Sequence, residues 1–549
     1  MRNGATAGLL LLLVEVPVAT VRAEEWFVEA DGSGGGTADD PFGSVQDGLD
    51  VAGPGDVITV REGTYSESLR TVRGGTEAAP IVLRRDPARG PTILSSSGRV
   101  LRVEHPYFVV EGLILDGQYG PDDALAVRDE GDHFVLRDSE IRRSGRDCLD
   151  MSGQEGVLVE RSLIHHCLDS TDGRRDAHGI VGGPMRGLVI RDTEIHTFSG
   201  DAVQLDPDRE QTGWTDVTIE GCELWLEPLP AAEAGFSAGT VPGENGVDTK
   251  ATEAAPRAML IISDTVARGF RRGLVPNMAA FNIKENVDCT LDRVTVHDSE
   301  IAFRTRGPTD EHPLGSWVRI ANAVVFDVEV GVRYENDIER LAVLGSTFGR
   351  DVERPFDEAE AAASVLDVRN LLVLSETLPG EAIGPTNLAV GESAFIDATS
   401  DDYHLSAGSP AIDRGEPIEG VSRDRDGVAR PQGDGIDIGA YEWCGECPEP
   451  GNPDAGGHTQ PGPDGGADAG AADDRDTGSP VGADAGGAPA GGGFGCSCNA
   501  TRSAPGASWL AWIAGVAGSL ASGRRSRRGP FAGRAPSRAP VTGSGPCCL

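Results

Sequence analysis

Two lysines and an arginine end short runs of one type. Lys250 closes "GVDTK" (Gly246 to Lys250) two residues after Asp248, Lys284 closes "AFNIK" two residues after Asn282, and Arg306 closes "AFRTR" two residues after Arg304. A lysine amine serves as a base when nearby positive charge or desolvation favours its neutral form. Carboxylates such as Asp201, Asp206 and Asp248 are the hard oxygen ligands that calcium takes. A base that removes a carbon-bound proton beside a carboxylate held by a cation performs β-elimination. Outward lysines and arginines on strands also serve simply as solvated edge protection.

Other residue groups offer different chemistry. Asp147 and Asp150 form a carboxylate pair of the kind glycoside hydrolysis uses, although no local motif fixes their separation. The stretch "HHCLDSTDGRRDAHG" (His165 to Gly179) gathers Asp172, Asp176 and His178, as a metal site or as the Asp- and Gly-rich turn its composition suggests. Trp214 and Trp225 flank a long insertion, either as sugar-stacking platforms or as loop core.

The elements that position these groups repeat along the chain. One set of segments, among them "YFVVEGLIL", "HFVLRDSEI", "GVLVERSLI" and "GLVIRDTEI", alternates apolar and polar residues before a second apolar pair, as half-buried strands do. A second set lies between them, with a small residue and then apolar, variable, apolar, variable: "ALAVR" from Ala124, "CLDMS" from Cys148, "AVQLD" from Ala202, the three runs above, and "GVRYE" from Gly331. A rung near "HGIVGG", His178 to Gly183, has no settled register. First residues step by 24 from Ala124 to Cys148, by 22 from Ala280 to Ala302 and by 29 from Ala302 to Gly331. The longer step from Ala202 to Gly246 implies an inserted loop. Strands at this period without helices between them predict a solenoid whose turns pair with one another.

In such a stack the apolar positions of the second set face inward and the variable ones share an outer face. The third position then aligns Ala126, Asp150, Gln204, Asp248, Asn282, Arg304 and Arg333. The fifth aligns Arg128, Ser152, Asp206, Lys250, Lys284, Arg306 and Glu335. This face passes from acidic to basic, and like charges stacked on neighbouring strands are costly unless a ligand or counter-charge relieves them. An extended anionic glycan crossing the rungs would do so.

Over roughly 420 residues this pattern resembles the right-handed parallel β-helix of pectate lyase-like proteins. The opening "WFVEADGSGGGTADDPFGSVQDGLDVAGPGDVITVREGTY" (Trp26 to Tyr65) and the closing "DYHLSAGSPAIDRG" and "RDGVARPQGDGIDIGAYEW" look like the ends of such folds. The resemblance implies an acidic, uronate-containing polysaccharide as partner and calcium-assisted elimination as the reaction. It implies Lys284 as base with Arg306 beside it, as in lyases using a lysine and arginine pair, or Lys250, as in those using a single lysine. It further implies calcium on Asp201, Asp206 and Asp248, and substrate contacts from Gln204, Asn282, Arg304 and Arg333. A hydrolase or epimerase relying on Asp147, Asp150 and Asp206, and a non-catalytic adhesin, are alternatives on the same fold.

The ends of the chain carry addresses. "MRNGATAGLLLLLVEVPVATVRA" reads as a signal peptide over residues 1–23. The β-helix domain is expected over 24–448. A disordered Gly, Pro, Asp and Ala-rich stalk follows over 449–495. Residues 496–549 hold "CSC", with Cys496 and Cys498, then a short apolar helix over 508–523 and "RRSRR". That order resembles the MYXO-CTERM sorting tail, which implies export and either outer-membrane anchoring at the cell surface or secretion after trimming. Membrane contact is then expected only through the tail, and the protein is expected to be a monomer.

Export permits disulfides among the ten cysteines, and Cys444 with Cys447 could close a small loop. For Cys148, Cys167, Cys222 and Cys289 the sequence specifies no connectivity. A net charge of −39 argues against nucleic acid as a partner, because phosphate binding needs a basic footprint.

Overall fold

The computed structural model describes residues 23–445 apart from 129, 170–175, 206–211, 253–255 and 360–363. The signal peptide, the stalk and the tail, with Cys447, Asp172 and Asp206, therefore lie outside the described residues.

Three long parallel sheets wind around one core in a right-handed parallel β-helix. Sheet I has 13 strands, from Glu25–Val28 to Leu366–Arg369. Sheet II has 11, from Leu69–Arg70 to Val352–Ala359. Sheet III has 13, from Gly63–Ser66 to Leu388–Val390. Each turn pairs in register with the next, so inward residues form continuous files. On sheet I one such file begins Leu83, Val110, Leu136, Val159, Ile190 and continues to Val343. These five side chains are inaccessible to solvent. Stacking like this buries apolar area on every rung, which is why short strands of three to five residues suffice.

The first set of repeats is resolved differently from the sequence expectation. Each segment is two strands, one on sheet I and one on sheet III, joined by a two-residue corner whose first residue is in the left-handed region. Asp138, Asp192, Asp264, Asn322 and Asn370 all turn there with φ between 49° and 52°. Asn and Asp tolerate this conformation better than other non-glycine residues. The next residue is often a buried Ser or Thr whose hydroxyl donates two residues back, as Ser139 does to the Arg137 carbonyl at 2.7 Å and Thr265 to Ser263 at 2.8 Å. These hydroxyls satisfy backbone groups that the sharp corner leaves out of the ladders.

Sheet II follows the register expected of the second set. Leu125 pairs with Leu149, Val203 with Val247, Val247 with Phe281 and Phe303 with Val332. The unsettled rung falls into place with Ile180 beside Leu149 and Val203. The small first residue has a steric cause. A Cβ on Gly246 would lie 2.4 Å from the Ala280 carbonyl oxygen, and one on Gly331 2.6 Å from that of Pro355.

The ends are closed by the segments expected to close them. The helix Val45–Val51, capped by the Ser44 hydroxyl, buries Val45, Gly48 and Leu49 at the first turn. At the other end an antiparallel pair, Phe395–Asp397 with Asp402–Leu405, packs beside a loop region fastened by the buried Arg430–Glu442 ion pair at 2.9 Å. Cys148 and Cys167 form a disulfide, Cys444 is disulfide-bonded, and Cys222 and Cys289 are free and buried. Burial pushes the Cys222 thiol up to about 12, so it is no nucleophile.

Candidate functional site

The outer face of sheet II gathers most of the candidate residues. Register places Gln204, Asp248, Asn282, Arg304 and Arg333 side by side on consecutive strands. Asp248 is the hub. Its carboxylate accepts from Gln204 Nε2 at 2.7 Å, Asn282 Nδ2 at 2.9 Å and Lys284 Nζ at 2.7 Å, and Lys250 Nζ lies 3.4 Å away. Lys250 also donates to Gln204 Oε1 at 3.3 Å. Two ammonium groups thus share one buried carboxylate, and the carboxyls of Glu244 and Asp176 are close enough to interact with Lys250, that of Glu244 also with Lys284.

The arginines are neutralised from within the stack. Glu335 accepts from Arg304 Nε at 3.0 Å, Arg306 Nε at 3.1 Å and Arg333 Nε at 2.9 Å. Burial alone would raise the Glu335 carboxyl, but hydrogen bonds and charge from Arg304 and Arg306 hold it below its ordinary value. Arg306 also reaches Glu285 at 3.2 Å, and Arg333 approaches Asp357 at 3.7 Å. Stacked like charge is therefore relieved by carboxylates as well as by any ligand. Glu335 stands in the fifth-position file of the sequence, but only the side-chain geometry shows it clamping three arginines.

Beside this face lies a cavity of about 230 Å³ lined by Glu244, Asn277, Asn282, Lys284, Arg304 and Arg306, among others. Its walls come from the inserted loop before Gly246 and from the segment before the Ala279–Ile283 strand. Asn245 fixes the first wall: its backbone and side-chain nitrogens donate to Asp201 Oδ1 at 3.1 and 2.8 Å, and its Oδ1 accepts from the Ala279 amide at 3.0 Å.

Asp201 sits behind the face rather than on it. It is buried, with His178 Nδ1 3.5 Å from its carboxylate. Burial, then the charge of Asp248, pushes its carboxyl up to about 7. Burial lowers His178 and raises Asp176, and both interact with Lys250. Trp214 is buried and donates to the Lys250 carbonyl at 2.6 Å, so it braces the lysine's strand. Trp225 lies on sheet III, stacked on His196 with ring centroids 4.1 Å apart and covered by Arg268 at 4.6 Å.

A second cluster occupies the earlier rungs. Asp123, Asp147 and Asp150 each offer a carboxylate oxygen within 4.8 Å of the others. Asp123 stands directly before the small residue of its rung, where the pattern of the second set does not look. Arg99 pairs with Asp123 at 3.0 Å, Arg146 with Asp123 at 3.3 Å, and Arg128 with Asp150. Burial and then the charge of neighbouring aspartates raise Asp123. Asp147 is raised well above its ordinary value by burial and by Asp123 and Asp150, against a hydrogen bond from the His178 amide. Asp150 and Asp248 are three rungs apart, roughly 14 Å at the usual strand spacing.

No family model and no curated protein matches the chain. Among solved structures it is similar to pectate lyase Pel9A, at 15% identity and TM-score 0.45 over 76% of this chain and 96% of that one. It is similar to an alginate lyase from Paenibacillus sp. str. FPU-7, at 15% identity and TM-score 0.33 over 63% and 99%. A family 28 exopolygalacturonase from Yersinia enterocolitica matches at 10% identity and TM-score 0.38 over 63% and 78%.

Proposed function

We propose that this protein binds an acidic, uronate-containing polysaccharide along sheet II and cleaves it by β-elimination. The observation that carries this reading is the convergence of Lys250 and Lys284 on the single carboxylate of Asp248, beside a cavity that Lys284 shares with Arg304 and Arg306. A uronate carboxylate would bring a further negative charge to two ammonium groups that share one hub. In the cavity, Lys284 takes the carbon-bound proton, with Lys250 as the rival base. Arg304 and Arg306 hold the substrate carboxylate, and Gln204, Asn282 and Arg333 bind along the chain.

Calcium fits the carboxylate trio. Asp123, Asp147 and Asp150 converge as hard oxygen donors, and the buried Asp123 Oδ1 accepts no hydrogen bond, with only the exposed Arg146 side chain 3.3 Å away. Bound there, the ion would supply positive charge for a second substrate carboxylate. Asp248 and Asp201 instead have their oxygens engaged by side chains of the site.

A hydrolase or epimerase is the second reading. It is favoured by the convergence of Asp123, Asp147 and Asp150, with the carboxyls of Asp123 and Asp147 raised as a general acid requires. The purified domain is incubated with pectate, alginate and glycosaminoglycans, with calcium or with chelator. Ultraviolet absorbance of an unsaturated product is expected. New reducing ends without it would assign hydrolysis, and binding without cleavage an adhesin. The reading includes export and surface retention, tested by fractionating cells that express the chain with and without residues 496–549.

A further inference from the structure

We propose that Glu244 is a catalytic acid of this site, donating the proton that the leaving oxygen needs while Lys284 receives the one removed from carbon. The proposal rests on the eliminative reading above.

Glu244 belongs to the inserted loop, and its backbone is held in place. Its amide donates to the Gly200 carbonyl at 2.7 Å, and its neighbour Asn245 is tied to Asp201 and Ala279. The side chain lines the cavity that Lys284, Arg304 and Arg306 also line. Those three are paired, Lys284 with Asp248, Arg304 with Glu335, and Arg306 with Glu335 and Glu285. Among the described residues, the half-buried Glu244 carboxyl has neither a hydrogen bond nor an ion pair of its own. A cavity whose cations are all countered, with one carboxyl left over, has a group free to exchange protons with a ligand.

The charges facing that carboxyl support the role. Burial, then Asp176 and Asp248, raise it above its ordinary value, while Lys284 and Lys250 oppose the rise. A raised carboxyl keeps its proton nearer to neutral pH, as a general acid must. The cavity is below the ~300 Å³ typical of drug-sized sites and suits one sugar unit.

The bond between C5 and its hydrogen breaks and the proton passes to the lysine. The pair left on carbon forms the C4–C5 double bond as the bond from C4 to the glycosidic oxygen breaks. That oxygen leaves with its electron pair and takes the Glu244 proton. Exchange with water then returns the ammonium and the carboxylate to their starting forms.

The test uses the polymer that yields unsaturated product with the parent protein, alongside a 4-deoxy-4-fluorouronide whose fluoride leaves without a proton. Glu244→Gln is expected to lower kcat on the polymer about 100-fold with KM unchanged, and to abolish the fall in rate at high pH. It is expected to keep the parent rate on the fluoride substrate, which also shows that the variant is folded. An undiminished rate on the polymer, or equal loss on both substrates, would overturn the role of Glu244 and leave elimination standing. Absence of unsaturated product from the parent on every polymer would overturn both.

Discussion

Two parts of the sheet II face, three rungs apart, meet the same electrostatic problem in different ways. At Asp123, Asp147 and Asp150 three carboxylates converge and arginines approach from outside, with the Arg146 side chain 58% exposed. At Lys250 and Lys284 two ammonium groups converge and the countering carboxylate of Asp248 is the buried member, 4% exposed. At both places the carboxylates are the buried members and the cations the more exposed ones; what differs is the count, three carboxylates meeting at the first and two ammonium groups meeting one carboxylate at the second. The acidic part is thus suited to admitting a cation and the basic part to admitting an anion.

The largest effect that tests this contrast comes from Asp248→Asn. It leaves two neighbouring ammonium groups without their hub, and chemical denaturation is expected to show a loss of about 3 kcal/mol, the lower end for a broken buried pair because the lysines are partly solvated. Retention of parent stability would show that Asp248 is not the hub.

Calcium separates the two parts next. Saturating calcium at about 100 times its dissociation constant stabilises by about 2.7 kcal/mol. That gain, read as a rise in Tm, should vanish in Asp147→Asn/Asp150→Asn and persist in Lys284→Ala. Loss of the gain in the lysine variant instead would put the ion at the basic part.

A third test is a pH slope. Asp201 has its carboxyl raised to about 7 in the folded state against 3.8 unfolded, so the folded state binds more protons between those values. Stability through this group is present at low pH and falls as pH rises through that window, with a limiting slope of about 1.4 kcal/mol per unit. Asp201→Asn keeps an acceptor for Asn245 and should flatten that part of a stability profile. An unchanged slope would mean that Asp201 titrates normally.

Much of the solenoid was legible because its pattern is local. A small residue followed by alternating inward and outward residues reports both strand and register, and the sheet II pairings follow it from Leu125 to Val332. The first repeat set was read as single strands because period-two patterning does not mark the left-handed corner at residues such as Asp138 and Asp192. The site was legible only where it follows a file. Asp248, Lys284 and Arg304 stand at expected positions. Glu244 and Asn245 come from an insertion without the repeat, Asp123 precedes its rung, and the Glu335 clamp depends on side-chain reach.

By itself the sequence determined the period, the inward files and the outward sequence of charges, since each strand carries its own alternation. Only the tertiary structure decided which charges meet. Rungs bring residues tens of positions apart within hydrogen-bonding distance, and the pairing then depends on rotamers and inserted loops that periodicity does not encode. Asp248 therefore holds Lys284 across 36 positions, and Glu335 holds Arg304 across 31.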